Sequence, residues 1–342
     1  MRALVCAFVA TVLSSATALY AQQPTVLHGQ VTTEVASHGL GTILDGLKQK
    51  KEVVWVGYSI PVINRFSSGW NSSHIDFLEG KNDATTSESE VRNESSDHAV
   101  ILLRVGDGNV MRLQVESPER ELDAGGLGFV WLNDVEADDS VRVLTDVARQ
   151  DGNGHLRDNA VFAISVHQTN AATTALVSLA GPANDLRLRE KAAFWLANQR
   201  GQDGLAAIQR FAREDSDPKF REKLAFDLTL SKEPAALNEL IRMAHEDASP
   251  QVRKQAQFWM ANKGGKKVTE DLRAIATNDP NEQIRKSAVF ALSRLPSDEA
   301  ATQLIAVADS SKDPIVRRQA IFWLGQSNDP RALEYLTKLL KQ

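Results

Sequence analysis

The sequence is poor in most of the residues that build reactive sites. Its single cysteine, Cys6, lies in the first apolar stretch, so the chain that follows has no disulfide and no thiol chemistry. Its seven histidines (His28, His38, His74, His98, His155, His167 and His245) are scattered, and without a cysteine partner none of them has zinc-ligand spacing. Positive charge is not in excess. The whole chain carries −5, with 9 Lys+Arg against 14 Asp+Glu over 22–122 and 29 against 30 over 123–342. Neither part is basic, which argues against a nucleic-acid partner, because such binding rests on neutralising phosphates. No phosphate-cradling glycine loop precedes a helix, since Gly106-Asp107-Gly108 reads as a hairpin turn. Beyond the first 21 residues no apolar run is long enough to span a bilayer.

Those first residues have the layout of a secretory signal peptide. Arg2 supplies the positive start, Ala3 to Leu13 is apolar, and Ser14-Ser15-Ala16-Thr17-Ala18 is small. Cleavage is expected after Ala18 or Ala21, which would make the protein secreted or periplasmic with no membrane span afterwards. An uncleaved anchor is the alternative.

What the sequence has in abundance is repetition. Arg157, Arg189, Arg221, Arg253, Arg285 and Arg317 stand 32 residues apart, and so do Phe162, Phe194, Phe226, Phe258, Phe290 and Phe322. Trp131, Trp195, Trp259 and Trp323 recur every 64. A fixed period in this range marks a stacked repeat protein. Four residues before each arginine stands Asn153, Asp185, Asp217, Ser249, Asn281 or Asp313, all of them helix N-cap types, and Pro218, Pro250 and Pro314 suit the first turn that follows. Each unit therefore predicts a first helix with Leu188, Ala192, Trp195 and Leu196 inward. A turn and a second helix follow, with stripes at the Leu144–Leu336 and Val147–Leu339 columns. Small residues from Ala148 to Ala308, ending in Leu340, let neighbouring helices approach closely. Seven units are expected from Asp123 to Gln342. The first is degenerate, with Gly125 in place of arginine but Trp131 and Leu132 in register.

The segment Ile315-Val316-Arg317-Arg318-Gln319-Ala320-Ile321-Phe322-Trp323-Leu324-Gly325 and its copies resemble HEAT repeats, of the short kind found in phycobilin lyases. The resemblance covers about two thirds of the chain and implies a mainly α fold, an α-solenoid of about seven two-helix repeats. It implies no single function. The layout also resembles uncharacterised bacterial secreted HEAT-repeat proteins, in which a β-rich segment ends in a stretch like Ser117-Pro118 through Leu122-Asp123-Ala124-Gly125-Gly126. HEAT-like deoxyhypusine hydroxylases hold iron with several His-Glu pairs. Here only His245-Glu246 forms one, so no metal or other cofactor is expected.

Residues 22–122 break the period and predict a small α+β domain. Strands are expected at Val100–Val105, Asn109–Val115 and Glu52–Ile60, the last stopped by Pro61. A short helix is expected over Leu40–Lys51, and an acidic loop over 82–97. The domain's plain role is to cover the first face of the array.

Several features are candidates for partner binding. On a helical wheel of about 100° per residue the phenylalanine column lies nearly opposite the inner face. It is either an exposed aromatic stripe or a packing ladder in the grooves between first helices. Asp227 stands in the tryptophan column, where a carboxylate at an apolar position calls for a bonding partner. Arg210, Arg213, Arg242 and His245, with Arg149, form a basic patch on the second helices, suited to an acidic segment or simply solvated. The arginine and cap columns predict an inter-repeat ladder. Together these point to a non-enzymatic scaffold of the bacterial cell envelope that binds another protein or peptide. The rivals are an enzyme with a site around Trp55, Tyr58, Trp70 and His74, and a protein that self-associates as a homodimer through the C-terminal helix at Leu339 and Leu340.

Overall fold

The computed structural model describes residues 23–67, 75–80, 95–150 and 152–341. The signal-peptide segment, most of the acidic loop, Trp70 and His74 lie outside them.

The N-terminal part contains β1 (Val26–Leu27), β2 (Gln30–Val35), α1 (Leu40–Lys48), β3 (Val54–Phe66), β4 (Ile75–Phe77), β5 (Ser96–Gly106), β6 (Asn109–Glu116), β7 (Glu121–Asp123) and β8 (Gly128–Asn133). Five strands form one sheet in the order β2-β8-β3-β5-β6, and three short ones form a second in the order β1-β7-β4. The β5–β6 hairpin turns on Asp107 and Gly108, with φ of 50° and 79°. Positive φ at both central residues is what a two-residue turn of this hand requires, and Asp-Gly supplies it. Between the sheets lie Trp55, Leu78, Val100, Leu102, Leu122, Ala124, Phe129 and Trp131. The opposite face of the large sheet joins the helical core.

Two expectations about this part need correcting. Pro61 does not stop its strand, because β3 runs on to Phe66. Pairing of β3 with β8 ends at Tyr58, and beyond that point this side of β3 meets, among the described residues, an isolated bridge of Val62 to His167 and no further strand, so the missing N–H of Pro61 breaks no ladder. The Pro61 carbonyl instead accepts the Gln168 amide at 3.2 Å. The second correction concerns Trp131 and Leu132, which belong to strand β8 and not to the first helix of a degenerate repeat. Phe129 and Trp131 face one layer while Val130 and Leu132 face the other, and all four are buried. An apolar run with both faces covered suits a central strand. Gly125 and Gly126, at φ 60° and 88°, turn the chain into it.

The array therefore opens with a single helix, α2 (Ala137–Arg149), followed by six helical pairs. These are α3 (Gly154–Val166) with α4 (Asn170–Ala180), α5 (Leu186–Gln199) with α6 (Gly201–Glu214), and α7 (Pro218–Leu230) with α8 (Ala235–Glu246). Then come α9 (Pro250–Gly264) with α10 (Thr269–Asn278), α11 (Glu282–Ser293) with α12 (Ser297–Ser310), and α13 (Pro314–Gly325) with α14 (Pro330–Leu340). The cap column works as its residue types predict. Asn153, Asp185, Asp217, Asn281 and Asp313 accept amide bonds from their own first turns, while Ser249 makes no such side-chain bond. One hydrophobic core runs unbroken from Leu40 through the sheet and every helical pair to Ala332. Two-helix units with one apolar face each are stable only in such a stack.

Candidate functional site: the first-helix ridge

The arginine column sets the spacing of the repeats. Each arginine bonds carbonyls at the end of the preceding second helix: Arg157 donates to the Ala148 carbonyl, Arg189 to Ala180, Arg221 to Asp215, Arg253 to Asp247, Arg285 to Asp279 and Arg317 to Ser311. A cation there also meets the negative end of the helix dipole. The first five pair in addition with an acid of the next junction. Arg189, Arg221 and Arg253 reach Asp215, Asp247 and Asp279, while Arg157 and Arg285 reach Asp185 and Asp313. Ala183 and Ser311 occupy the positions corresponding to Asp215, Asp247 and Asp279, and there the cap residue two positions later supplies the carboxylate. Burial alone would raise the carboxyl of Asp247, but the Arg221 guanidinium and the Ser249 amide hold it below its ordinary value.

The aromatic residues form a second ladder on the same first helices. Each indole packs at a tilt against the phenylalanine of the preceding repeat: Trp195 against Phe162 at 4.8 Å, Trp259 against Phe226 at 4.9 Å and Trp323 against Phe290 at 5.0 Å. Each also meets the phenylalanine beside it, Phe194, Phe258 or Phe322, edge to face. Phe258 stacks directly on Phe290 at 6.2 Å, and Phe66 of β3 extends the row to Phe162. The phenylalanines are thus a packing ladder, though none is fully buried, and Phe322, last in the row, is 53 % exposed. Trp195, Trp259 and Trp323, expected in the core, are also only half-buried, unlike Trp131 in β8. Leu188, Ala192 and Leu196 already fill the gap between helices, so the large indole lies along the junction instead. This explains the period of 64: the same column holds Ala163, Asp227 and Ala291 in the repeats whose phenylalanine receives an indole.

Asp227 is the polar exception in that column, and it is fully buried. One carboxylate oxygen accepts the ammonium of Lys223, one turn earlier, and the other has no partner. The Lys223 ammonium also lies 5.8 Å from the Phe194 ring and 4.8 Å from that of Phe226, joining the two halves of the ridge. Burial pushes the Asp227 carboxyl up to about 6, against the opposing pull of Lys223. The Trp195 indole N–H, in the same column one repeat earlier, is likewise buried without a partner. The middle of the ridge thus carries an unused acceptor and an unused donor.

The basic patch does not stand free. Arg213 and Arg242 both bind the buried Glu239, each at 2.6 Å, and Arg242 also bonds the Ala212 carbonyl. His245 pairs with Asp271 at 3.2 Å, Arg149 bonds Ser178, and Arg210 lies over its neighbour Phe211. The column of Glu239 reads Val143, Ala175, Ala207, Asp271, Gln303 and Tyr335 in the other units, so the repeat pattern carries no sign of its role. The rival N-terminal site is also closed where it is described. Trp55 is buried and donates to Glu79 at 3.0 Å. Tyr58 is buried and bonds Ser140 at 2.8 Å. His167 donates from Nδ1 to the Ala163 carbonyl, leaving Nε2 to accept Ser140 Oγ–H at 2.9 Å, and Ser140 in turn accepts the Tyr58 hydroxyl proton. Arg200 caps this corner through the carbonyls of Ser165, His167 and Thr169. Nothing in the sequence joins these four side chains; only the docking of β3 against α2 and α3 does. Among the described residues no group of three or more His, Cys, Asp or Glu is placed to hold a metal ion, and no helix is long and apolar enough to cross a membrane.

Residues 269–342 match the family model described as HEAT repeats, and with the 32-residue register that runs back to Arg157 the array is a HEAT-repeat solenoid. No curated protein matches the chain. Solved structures that resemble it include human deoxyhypusine hydroxylase, 15 % identical over 59 % of this chain and 90 % of that one, with a TM-score of 0.33. The TOG3 domain of Drosophila melanogaster Mini spindles is 17 % identical over 54 % of this chain and 92 % of its own, at 0.40. The CpcE–CpcF phycocyanin lyase complex of Nostoc sp. PCC7120 is 17 % identical over 59 % and 87 %, at 0.33. Likenesses this weak assign neither an activity nor a partner.

Proposed function

We propose that the protein is a non-enzymatic scaffold of the bacterial cell envelope, secreted or periplasmic, that binds another protein or peptide along its first-helix ridge. The ridge itself carries this reading. Aromatic contacts, bridged once by Lys223, run from Phe66 to Phe322, and every ring in the row keeps part of its surface in solvent. Rigid aromatic side chains bury much area on binding and lose little rotamer entropy in doing so. The buried acceptor of Asp227 and the buried donor of Trp195 lie beneath the middle of the row, so the aromatic surface, not these two atoms, is what a partner meets.

The test is capture of a stoichiometric partner from envelope extract by the wild-type chain, with Phe322→Ser and Lys223→Gln compared beside it. Both variants are expected to lose the partner, Phe322→Ser at unchanged melting temperature and Lys223→Gln at a lower one, because it strips the buried Asp227 carboxylate of its counter-ion. Retention by both removes the ridge from the proposal. Export is checked by N-terminal sequencing of the protein from the periplasm or medium: a start at Leu19 or Gln22 supports it, and an intact Met1 in the cytoplasm overturns it.

A further inference from the structure

Alternate repeats fill one corner of the stack with a cation of their own. Arg200, five residues after Trp195, donates to the carbonyls of Ser165 and His167 at the end of α3, at 3.4 and 2.7 Å. Lys263, four residues after Trp259, donates to the carbonyls of Thr229 and Ser231 at the end of α7, at 3.1 and 2.8 Å. Ser165 and Thr229 are 64 residues apart, as are His167 and Ser231, so these are two copies of one site. Each places a charged donor on the orphan carbonyls and negative dipole end of a first helix.

The third copy belongs to Trp323. By the same step of 64, its carbonyls are those of Ser293 and Leu295 at the end of α11. The residues four and five after Trp323, where the other copies have lysine and arginine, are Ser327 and Asn328. Among the described residues no lysine or arginine bonds either carbonyl. The corner is open instead: a cavity of about 370 Å³ is lined by Ser293, Leu295, Ser297, Trp323, Gln326 and Ser327, among others. The Trp323 indole N–H is buried and has no partner. Arg294, which is exposed, also lines the cavity and places one like charge there.

We propose that this cavity receives the guanidinium or ammonium head of an arginine or lysine side chain carried by a partner polypeptide. The proposal rests on the scaffold reading and adds the chemistry of the partner. Two carbonyls at a helix C-terminus accept the head-group protons, as they do from Arg200 and Lys263, and Trp323 lines the space beside them. The aliphatic stem of the incoming side chain covers Leu295 and Ala300, which line the same space. The chain has thus built the same receptor three times and filled two.

The experiment follows the tryptophan indole resonances in a ¹H–¹⁵N spectrum of the full chain, with Trp323 assigned by Trp323→Phe. The probes are the blocked tripeptides acetyl-Gly-Arg-Gly-amide and acetyl-Gly-Lys-Gly-amide, and the neutral citrulline analogue of the first. Either cationic peptide is expected to shift the Trp323 resonance saturably, and citrulline is expected to leave it in place. Asn328→Arg or Ser327→Lys, each restoring the missing cation, should weaken peptide binding at least about tenfold. Arg294→Ala should tighten it. Lys263→Ala should open the α7 copy and make Trp259 respond as well. An equal response to citrulline, or full binding by both folded cation-restoring variants, overturns the proposal. A response to putrescine without one to the peptides overturns its polypeptide source. A flat titration with every probe removes the receptor and leaves the scaffold reading to stand or fall on the capture experiment.

Discussion

The two ends of the stack are built on opposite plans. At the N-terminal end a five-stranded sheet covers α2 and α3, and the contact closes over a buried polar chain, Tyr58–Ser140–His167, under the guanidinium of Arg200. At the C-terminal end nothing among the described residues covers the last pair. Phe322, Leu333, Leu339 and Leu340 are 53, 70, 40 and 89 % exposed. Repeat arrays need their terminal faces covered or polar. One end meets this with a whole domain, and the other leaves apolar side chains and an unfilled cation corner in the same final repeat. The difference is one of burial: the sheet end encloses polar side chains among its packed helices, while the last described pair keeps apolar side chains in solvent.

The largest expected effect lies between the two ends and tests whether they belong to one cooperative unit. Asp247→Ala removes the buried carboxylate of a bidentate pair and leaves the half-buried guanidinium of Arg221 with only the Asp215 carbonyl, and should cost about 3–5 kcal/mol. One shared loss in thermal and urea unfolding is expected, and two separated transitions would show that the ends unfold apart.

Acid should act next, and on the covered end. Burial, aided by the nearby Arg200 charge, holds His167 down to about 4 against an ordinary 6.5, although the Ala163 carbonyl and Asp138 favour its protonated form. The unfolded chain therefore takes up the proton first as pH falls. Stability conferred by this site is complete above pH 6.5 and is lost progressively down to pH 4, by about 3 kcal/mol. His167→Gln should flatten that part of the pH profile, and an unchanged slope would remove His167 as its source.

Asp227→Ala has the opposite sign. The wild-type carboxyl titrates near 6 in the folded chain and near 3.8 when unfolded, so its penalty grows as pH rises from 3.8 to 6 and is fully present above. Replacing it with the alanine found at 163 and 291 should raise stability at pH 8 by about 1–3 kcal/mol and leave it unchanged near pH 3.5. If the variant is more stable yet no longer captures the partner, Asp227 serves binding at the expense of folding.

The smallest effect is expected at the bare end. Leu333→Lys and Leu340→Lys alter side chains that are mostly in solvent and should change stability by less than about 0.5 kcal/mol. Light scattering decides the homodimer. If wild type dimerises and the lysine variants are monomeric, self-association covers the bare face; a monomer at high concentration leaves that face to another partner.

Much of the array is legible in the sequence. The caps from Asn153 to Asp313, the alanine columns and the Asp-Gly hairpin follow from local chemistry, and each is where its residue types place it. The arginine ladder is legible as a ladder, but not its choice of acid, since Asp215 and Asp217 both stand within reach of Arg189. The candidate site is less legible. Its phenylalanines are visible as a column, but their tilted packing against an indole from the next repeat is not, because that contact depends on how far adjacent first helices are offset. Trp131 misleads for a related reason: register alone does not distinguish a helix from a strand when both faces of a short apolar run are buried.

By itself, then, the sequence determined a stacked helical array of fixed period, because capping, amphipathic spacing and small-residue columns act within one or two turns of chain. Only the tertiary structure decided which side chains meet across the repeats. It joined Ser140 to His167, paired Arg213 and Arg242 with the one carboxylate of Glu239, and left the Trp323 corner open beside two filled copies. Those contacts depend on distances between helices that no single helix encodes.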